Sequence, residues 1–283
     1  MMKTRIAMPL QQHPHFAAAL TRLGRPVRFV DIDGAAPVLA VRQCGQLITS
    51  RGPVWQRVGQ DDAMRGSELR LINADKPDDT LLRAAGFYRL MTNAHVAELD
   101  LSRSEGARQA AMTPKWRNAW RVARSSPMTL AETPYEKQRH AWLLKADLAQ
   151  QRSKRFRGLP HALIDAYARD QPDKVQVIVG YERETPIAAM LFLLHWPVAT
   201  YHIGWTGPRG RELCAHHRMI IDAADRFSQR GFSRMDLGLV DTENTPGLAR
   251  FKIGTGAQVR PLGGTWARLP FLRHQMPDHA LRV

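Results

Sequence analysis

The sequence predicts an α/β protein, with mixed sheets flanked by helices and arranged as two domains in tandem. Three observations lead there. Short apolar runs of strand length alternate with segments of helical period along most of the chain. The run Ile187-Ala188-Ala189-Met190-Leu191-Phe192-Leu193-Leu194 is apolar on both faces, as a central strand is. The chain has 283 residues, 44% hydrophobic and 24% charged, which suits one large domain or two medium ones with a core of their own.

Residues 14–23 place Phe16, Leu20 and Leu23 on one face behind Pro14, a short amphipathic helix. Residues 27–32 and 38–41 read as strands joined by a turn at Asp33-Gly34. Residues 46–49 read as a third strand, followed by a turn anchored by Trp55. Residues 60–68 are expected to be helical, 69–73 a strand, and 80–86 a short helix ended by Gly86.

In residues 112–124, Thr113 can cap a helix and Pro114 suits its first position. Trp116, Trp120 and Ala123 fall on its inner face, with Lys115, Arg117, Arg121 and Arg124 flanking them. The cations fit a solvated surface or an anion equally well. A helix is expected over 134–150. After it comes the densest basic cluster, with Arg152, Lys154, Arg155 and Arg157 before Gly158 and Pro160. The domain boundary is placed there, giving domains of 1–150 and 151–283.

The second half continues with a helix at 160–169 and strands at 175–180, 187–194 and 199–205. A long helix is expected from Glu212 to Gln229, opened by Gly207-Pro208-Arg209-Gly210-Arg211. Strands follow at 235–240 and, after the 246–257 stretch, at 258–266. The tail from Pro270 is expected to be poorly ordered. No heptad, low-complexity tract or short repeat points to a particular oligomeric state.

The formal net charge of +15 favours an anionic partner: nucleic acid, a phosphorylated ligand or an anionic surface. The N-terminus lacks a signal-peptide core, and the longest apolar run is too short to span a bilayer. Cys44 and Cys214 match no metal spacing. A cytoplasmic protein without stable membrane insertion and without a metal is therefore expected. Hydrolase signatures such as G-x-S-x-G and H-E-x-x-H are missing.

Four places carry candidate chemistry. The Arg209-Gly210-Arg211 turn before a long helix combines helix-start N–H groups with two guanidinium groups, which suits a pyrophosphate or another phosphorylated ligand. His202, within a strand, is either a satisfied sheet histidine or a base. Asp236, also within a strand, needs a partner; it bonds to backbone or positions an amine. The stretch Pro246-Gly247-Leu248-Ala249-Arg250-Phe251-Lys252-Ile253-Gly254-Thr255-Gly256-Ala257 sets a lysine beside an aromatic ring between glycines. Read alone, it fits a capped surface helix as well as a lysine aimed at a ligand. His216 and His217, adjacent on a helix, are expected to be structural.

Taken in order, several of these residues resemble the FemAB-type branch of the GNAT acyltransferase superfamily. They are residues 199–205, the helix from Gly210, Met235-Asp236-Leu237-Gly238, and above all Gly247 with Arg250-Phe251-Lys252 followed by Gly254 and Gly256. The Lys115-Trp116-Arg117-Asn118 helix looks like that family's connecting segment. The resemblance implies two tandem GNAT-like domains, with the last strand and tail returning to the first. It implies an N-acyltransferase with no tightly bound cofactor, using aminoacyl-tRNA or acyl-CoA as donor. The acceptor would be an amine, for instance on a peptidoglycan precursor.

On that resemblance Phe251 and Lys252 match the pair placed at the reacting ester, with Lys252 on the oxyanion. Asp236 or His202 would position or deprotonate the amine. Arg209, Gly210, Arg211, Arg152, Lys154, Arg155 and Arg157 would hold donor phosphates. Two alternatives stand beside it: an acetyl-CoA-dependent acetyltransferase of a small amine, and an inactive relative that binds nucleic acid or envelope components.

Overall fold

The computed structural model describes residues 6–57, 63–154, 156, 158–169 and 171–268. Helix α1 (Pro14–Arg22) comes first. Strands β1 (Val27–Val30), β2 (Val38–Gln43), β3 (Gln46–Ser50) and β4 (Leu69–Ala74) follow. After them come α2 (Asp79–Ala84), β5 (Tyr88–Met91), β6 (His95–Asp100), α3 (Glu105–Ala111), α4 (Pro114–Arg124) and β7 (Thr129–Pro134). Next are α5 (Ala141–Ser153), α6 (His161–Ala168), β8 (Val175–Glu182), β9 (Thr185–His195) and β10 (Val198–Thr206). The remainder is α7 (Pro208–Glu212), α8 (Ala215–Gln229), β11 (Arg234–Val240), α9 (Pro246–Gly254), β12 (Gln258–Pro261) and β13 (Gly264–Ala267).

These elements form two compact units, each with its own sheet. The smaller combines Pro26–Asn93 with Pro261–Val283. Its six-stranded sheet has the order β1-β2-β3-β4-β13-β5. Its core gathers Val38, Leu47, Met64, Leu69, Ile72 and Trp266, all at most 3% exposed. Trp266 is fully buried, and its Nε1–H donates to the Gly263 carbonyl at 2.7 Å.

The larger unit combines Met1–Arg25 with Ala94–Arg260. Its seven-stranded sheet has the order β12-β6-β11-β10-β9-β8-β7. The apolar run of β9 is buried throughout between β8 and β10, as its two-faced pattern required. Helix α8 lays Met219, Ile220, Ala223, Ala224 and Phe227 on the sheet. Arg108 of α3 is buried and ion-paired with Asp225 of α8, while its Nη1 donates to the Leu101 carbonyl at 3.2 Å. That pair ties α3 to the core helix.

The α/β class, two sheet-centred units and the return of the last strand are as expected. Several details differ. Residue 150 lies inside α5, within the larger unit, so the division is not near 150. Residues 129–134 form β7 on the sheet edge, and the helix expected from 134 starts at Ala141. Residues 63–66 form turns instead of a helix, and 58–62 lie outside the described residues.

The long helix from Glu212 is interrupted. Cys214 takes a left-handed conformation at φ +52° and separates α7 from α8. The single strand expected at 258–266 is two strands, one in each sheet, because the chain passes from one unit to the other at Pro261. The tail from Pro270 lies outside the described residues, as do Arg155 and Arg157.

Candidate active site

The site forms where two parallel strands separate. Strands β10 and β11 pair only at Val198, Ala199 and Thr200 with Arg234, Met235 and Asp236. β10 then continues to Thr206 and β11 to Val240 without further pairing to each other. A crevice beyond the carboxyl ends of parallel strands is the usual ligand position in an open α/β sheet.

Helix α9 brings Lys252 to this place. Its ammonium is buried, with the residue 6% exposed, and its Nζ donates to the Leu239 carbonyl of β11 at 2.7 Å. Burial lowers the Lys252 pKa to about 8, and the charge of Asp236 partly opposes that shift. At neutral pH the group is therefore still mostly charged. Asp236, 3% exposed, accepts the Gly238 N–H on Oδ1 at 2.7 Å.

Gly238 sits at φ +77° in a stretch where the β11–β6 register slips. A Cβ there would lie 3.6 Å from Lys252 Nζ, and apart from the adjoining residues no other atom falls within 4 Å of it. The missing side chain leaves open space directly beside the ammonium.

The glycines after Lys252 serve a close approach. A Cβ at Gly254 would come 2.3 Å from Trp116 Cδ1, and one at Gly256 (φ +85°) 2.7 Å from Ala111 Cβ. The Thr113 N–H donates to the Gly254 carbonyl at 3.1 Å. The end of α9 is thus pressed onto the α3–α4 corner.

Phe251 is half-buried in a ring cluster that the sequence reading did not assemble. Its centroid lies 6.0 Å from Trp116, 5.5 Å from His217 and 6.1 Å from His216. His216 shares its Nε2 with the Trp205 carbonyl at 2.9 Å, and burial lowers its pKa to about 4. His217 is also lowered by burial. Both are neutral aromatic walls at neutral pH. The missing signal was the kink at Cys214, which turns the first turn of α8 toward Phe251.

His202 is set apart from this group. It is the residue skipped by the β9–β10 ladder, between Tyr201 and Ile203, so a bulge re-aims it. The charges that act on it are those of Asp147 and His161, a pair hydrogen-bonded at 2.8 Å. Burial lowers its pKa to about 4, and its Nε2 is buried without a hydrogen-bond partner among the described residues.

The Arg209–Arg211 segment is not the start of the long helix. It lies within five-residue α7. Arg209 holds Glu182 through Nη2 at 2.6 Å and Glu212 through Nη1 at 2.9 Å; both pairings raise its pKa and Glu182 is lowered in return. Gly210 is buried, and a Cβ there would lie 2.3 Å from the Ile187 carbonyl oxygen. Arg211 is exposed. Arg152 and Lys154 are exposed at the end of α5, Lys154 donating to Gln150 Oε1 at 3.3 Å.

Fold and site together define an α/β protein of two sheet-centred units with a buried lysine where β10 and β11 part, and comparison with solved structures narrows the fold. A FemX crystal structure superposes with a TM-score of 0.70 at 12% identity, over 92% of this chain and 94% of that one. The C-terminal domain (DUF2156) of a putative lysylphosphatidylglycerol synthetase from Agrobacterium fabrum gives 0.59 at 15% identity, covering 92% and 89%. L-PGS from Bacillus licheniformis gives 0.56 at 13%, covering 94% of each chain. The FemAB-type fold expected from the residues is therefore present. No protein-family model matches the sequence, and no curated protein does. Among the described residues no helix is long and apolar enough to cross a membrane.

Proposed function

We propose that this protein is a cytoplasmic N-acyltransferase that moves an aminoacyl group from aminoacyl-tRNA to an acceptor amine, such as that of a cell-envelope precursor. The observation that carries this reading is the buried Lys252 ammonium with open space at Gly238, at the point where β10 and β11 part.

In the reaction the acceptor nitrogen attacks the ester carbonyl carbon. The C–N bond forms, negative charge gathers on the carbonyl oxygen, and the C–O bond to the ribose then breaks. The amine proton ends on the departing ribose hydroxyl. Lys252 supplies fixed positive charge at the oxyanion, in a site where little solvent screens it. Phe251, flanked by Trp116 and His217, forms an apolar wall beside the reacting ester. The Asp236 charge opposes part of the lowering that burial imposes on Lys252.

The donor assignment favours tRNA because the net charge of +15 suits a long polyanion. Arg209 already holds two carboxylates and is not counted as a contact to either donor. The test offers the purified chain labelled aminoacyl-tRNA and labelled acyl-CoA with an amine acceptor. Transfer from tRNA that is lost in Lys252→Ala is the expected result. Transfer from acyl-CoA alone would replace the donor, and undiminished transfer by Lys252→Ala would remove the lysine from the mechanism.

A further inference from the structure

A concave surface lined by arginines lies between α3 and α4. The groove has a volume of about 390 Å³. Arg117, Arg121 and Arg124 line one wall, and Gly106 and Ala110 keep the α3 wall low. The arginines stand at steps of four and three residues. The four-residue step rises about 6 Å along a helix, close to the separation of consecutive phosphates on a nucleic-acid strand.

The lining carries no carboxylate. Glu105 accepts from Gln109 at 2.7 Å, and Asp222, which interacts with the Arg124 charge, also interacts with Arg218 and Arg226. Arg121 and Arg124 are exposed; Arg121 spends one N–H on Asn118 Oδ1 at 3.3 Å. Arg124 lies over the Trp120 ring with its guanidinium carbon 5.0 Å from the centroid, which fixes its plane.

A second, independent observation points to a ligand. Trp120 is 6% exposed and lines the groove, and its Nε1–H is buried without an acceptor among the described residues. The Arg117 Nε–H is in the same condition, while its Nη2 donates to the Ala110 and Met112 carbonyls at 2.8 and 3.0 Å. Buried donors without partners are uncommon in native proteins and call for an acceptor. Phosphate oxygens supply one, and arginine forks fit them two at a time.

We propose that the α3–α4 groove binds the phosphate backbone of an RNA strand, with Arg121 and Arg124 as the phosphate contacts and Trp120 Nε1 as an added donor. The identity of the RNA as tRNA rests on the donor reading above. An anionic membrane is the weaker fit. Helices that lie on lipid turn their tryptophans and leucines outward, whereas Trp116 and Trp120 are turned into the core at 5% and 6% exposure.

The experiment is equilibrium binding of fluorescently labelled, uncharged tRNA to the full chain across a salt series. It compares wild type, Arg121→Glu with Arg124→Glu, and a control carrying Lys145→Glu with Arg169→Glu. The control changes the net charge equally at exposed positions of α5 and just after α6, away from the groove. Groove substitution lowers affinity about tenfold or more and flattens the slope of log affinity against log salt by about 1.4, as loss of two phosphate contacts on a single strand requires. The control shows a clearly smaller loss. Trp120→Phe, which keeps the ring and removes the N–H, weakens binding severalfold with an unchanged thermal midpoint.

A groove variant indistinguishable from the control overturns the proposal. So does loss of binding to phosphatidylglycerol vesicles with tRNA binding retained, and so does a wild type with no affinity for tRNA. Binding through the groove without aminoacyl transfer would sink the donor reading alone. Transfer whose KM for tRNA is untouched by the groove substitutions would sink the groove alone.

Discussion

Lys252 is held charged in a place that disfavours charge. Its folded pKa of about 8 lies below the 10.5 of an exposed lysine. The folded state therefore bears the penalty fully below pH 8, and the penalty fades as pH rises toward 10.5. The shift corresponds to roughly 3 kcal/mol, against about 1–3 kcal/mol for leaving the Leu239 carbonyl unpaired. Lys252→Met is expected to melt about 2–4 °C higher at pH 7, with the gain gone near pH 10.5, and to lose about a hundredfold or more in turnover. Calorimetry at the two pH values, beside a transfer assay, reads both. A variant less stable at pH 7 than wild type would contradict the burial argument.

His216 offers the opposite sign of test. Its folded pKa of about 4 lies below the 6.5 of a free imidazole. Its contribution is complete above pH 6.5 and is lost as pH falls through 4. His216→Phe removes that proton uptake and also the bond to the Trp205 carbonyl. The variant should be less stable than wild type at pH 7, and the difference should narrow by pH 4.5 in urea titrations. An equal difference at both pH values would show that His216 takes up its proton as easily when folded as when unfolded.

At the scale of elements, close approach decides what a substitution does. The Gly254 position is filled by the Trp116 ring, so Gly254→Ala must push α9 off the α3–α4 corner. Overpacking of this kind costs about 1–3 kcal/mol. Because α9 carries Lys252 and Phe251, activity should fall further than stability, which parallel melting and transfer assays will show. Gly247→Ala, with nothing within 4 Å of the added carbon, is the matched control on the same helix.

Much of this was legible in the sequence at the level of elements. The two-faced apolar run of β9, the strands around it and the helix bearing Lys252 were all readable from period and punctuation. What was not readable was long-range or conformational. β7 was not read as a strand, because its state is decided by its pairing with β8. The left-handed Cys214 is a non-glycine residue in a region that favours glycine, so nothing in the residue type announced the break before α8. That break explains why His216 and His217 were read as bystanders while the structure places both beside Phe251. His202 was legible as a buried strand histidine, but the bulge that turns it toward Asp147 and His161 was not.

At the scale of the whole molecule, neither unit is a continuous stretch of chain. β13 lies between β4 and β5 in the smaller sheet, and Trp266 within it is fully buried. Trp266→Ala is expected to cost about 3–5 kcal/mol, read as an earlier urea transition. A fragment of residues 26–93 lacks that strand and should remain unfolded by amide exchange and circular dichroism. Cutting near residue 150 should likewise yield no half that folds alone, because it separates β6 from its partner β11 and β7 from β8.

The passage of the chain at Pro261 has a consequence for synthesis. Strands β12 and β13, which complete the two sheets, leave the ribosome together and directly after α9. A nascent chain that stalls before this point carries β5 without its central neighbour and β6 with one edge bare. Both sheets close within the same few seconds of elongation, at roughly 5–20 residues per second. A translation product shortened before residue 258 therefore leaves both sheets incomplete at once.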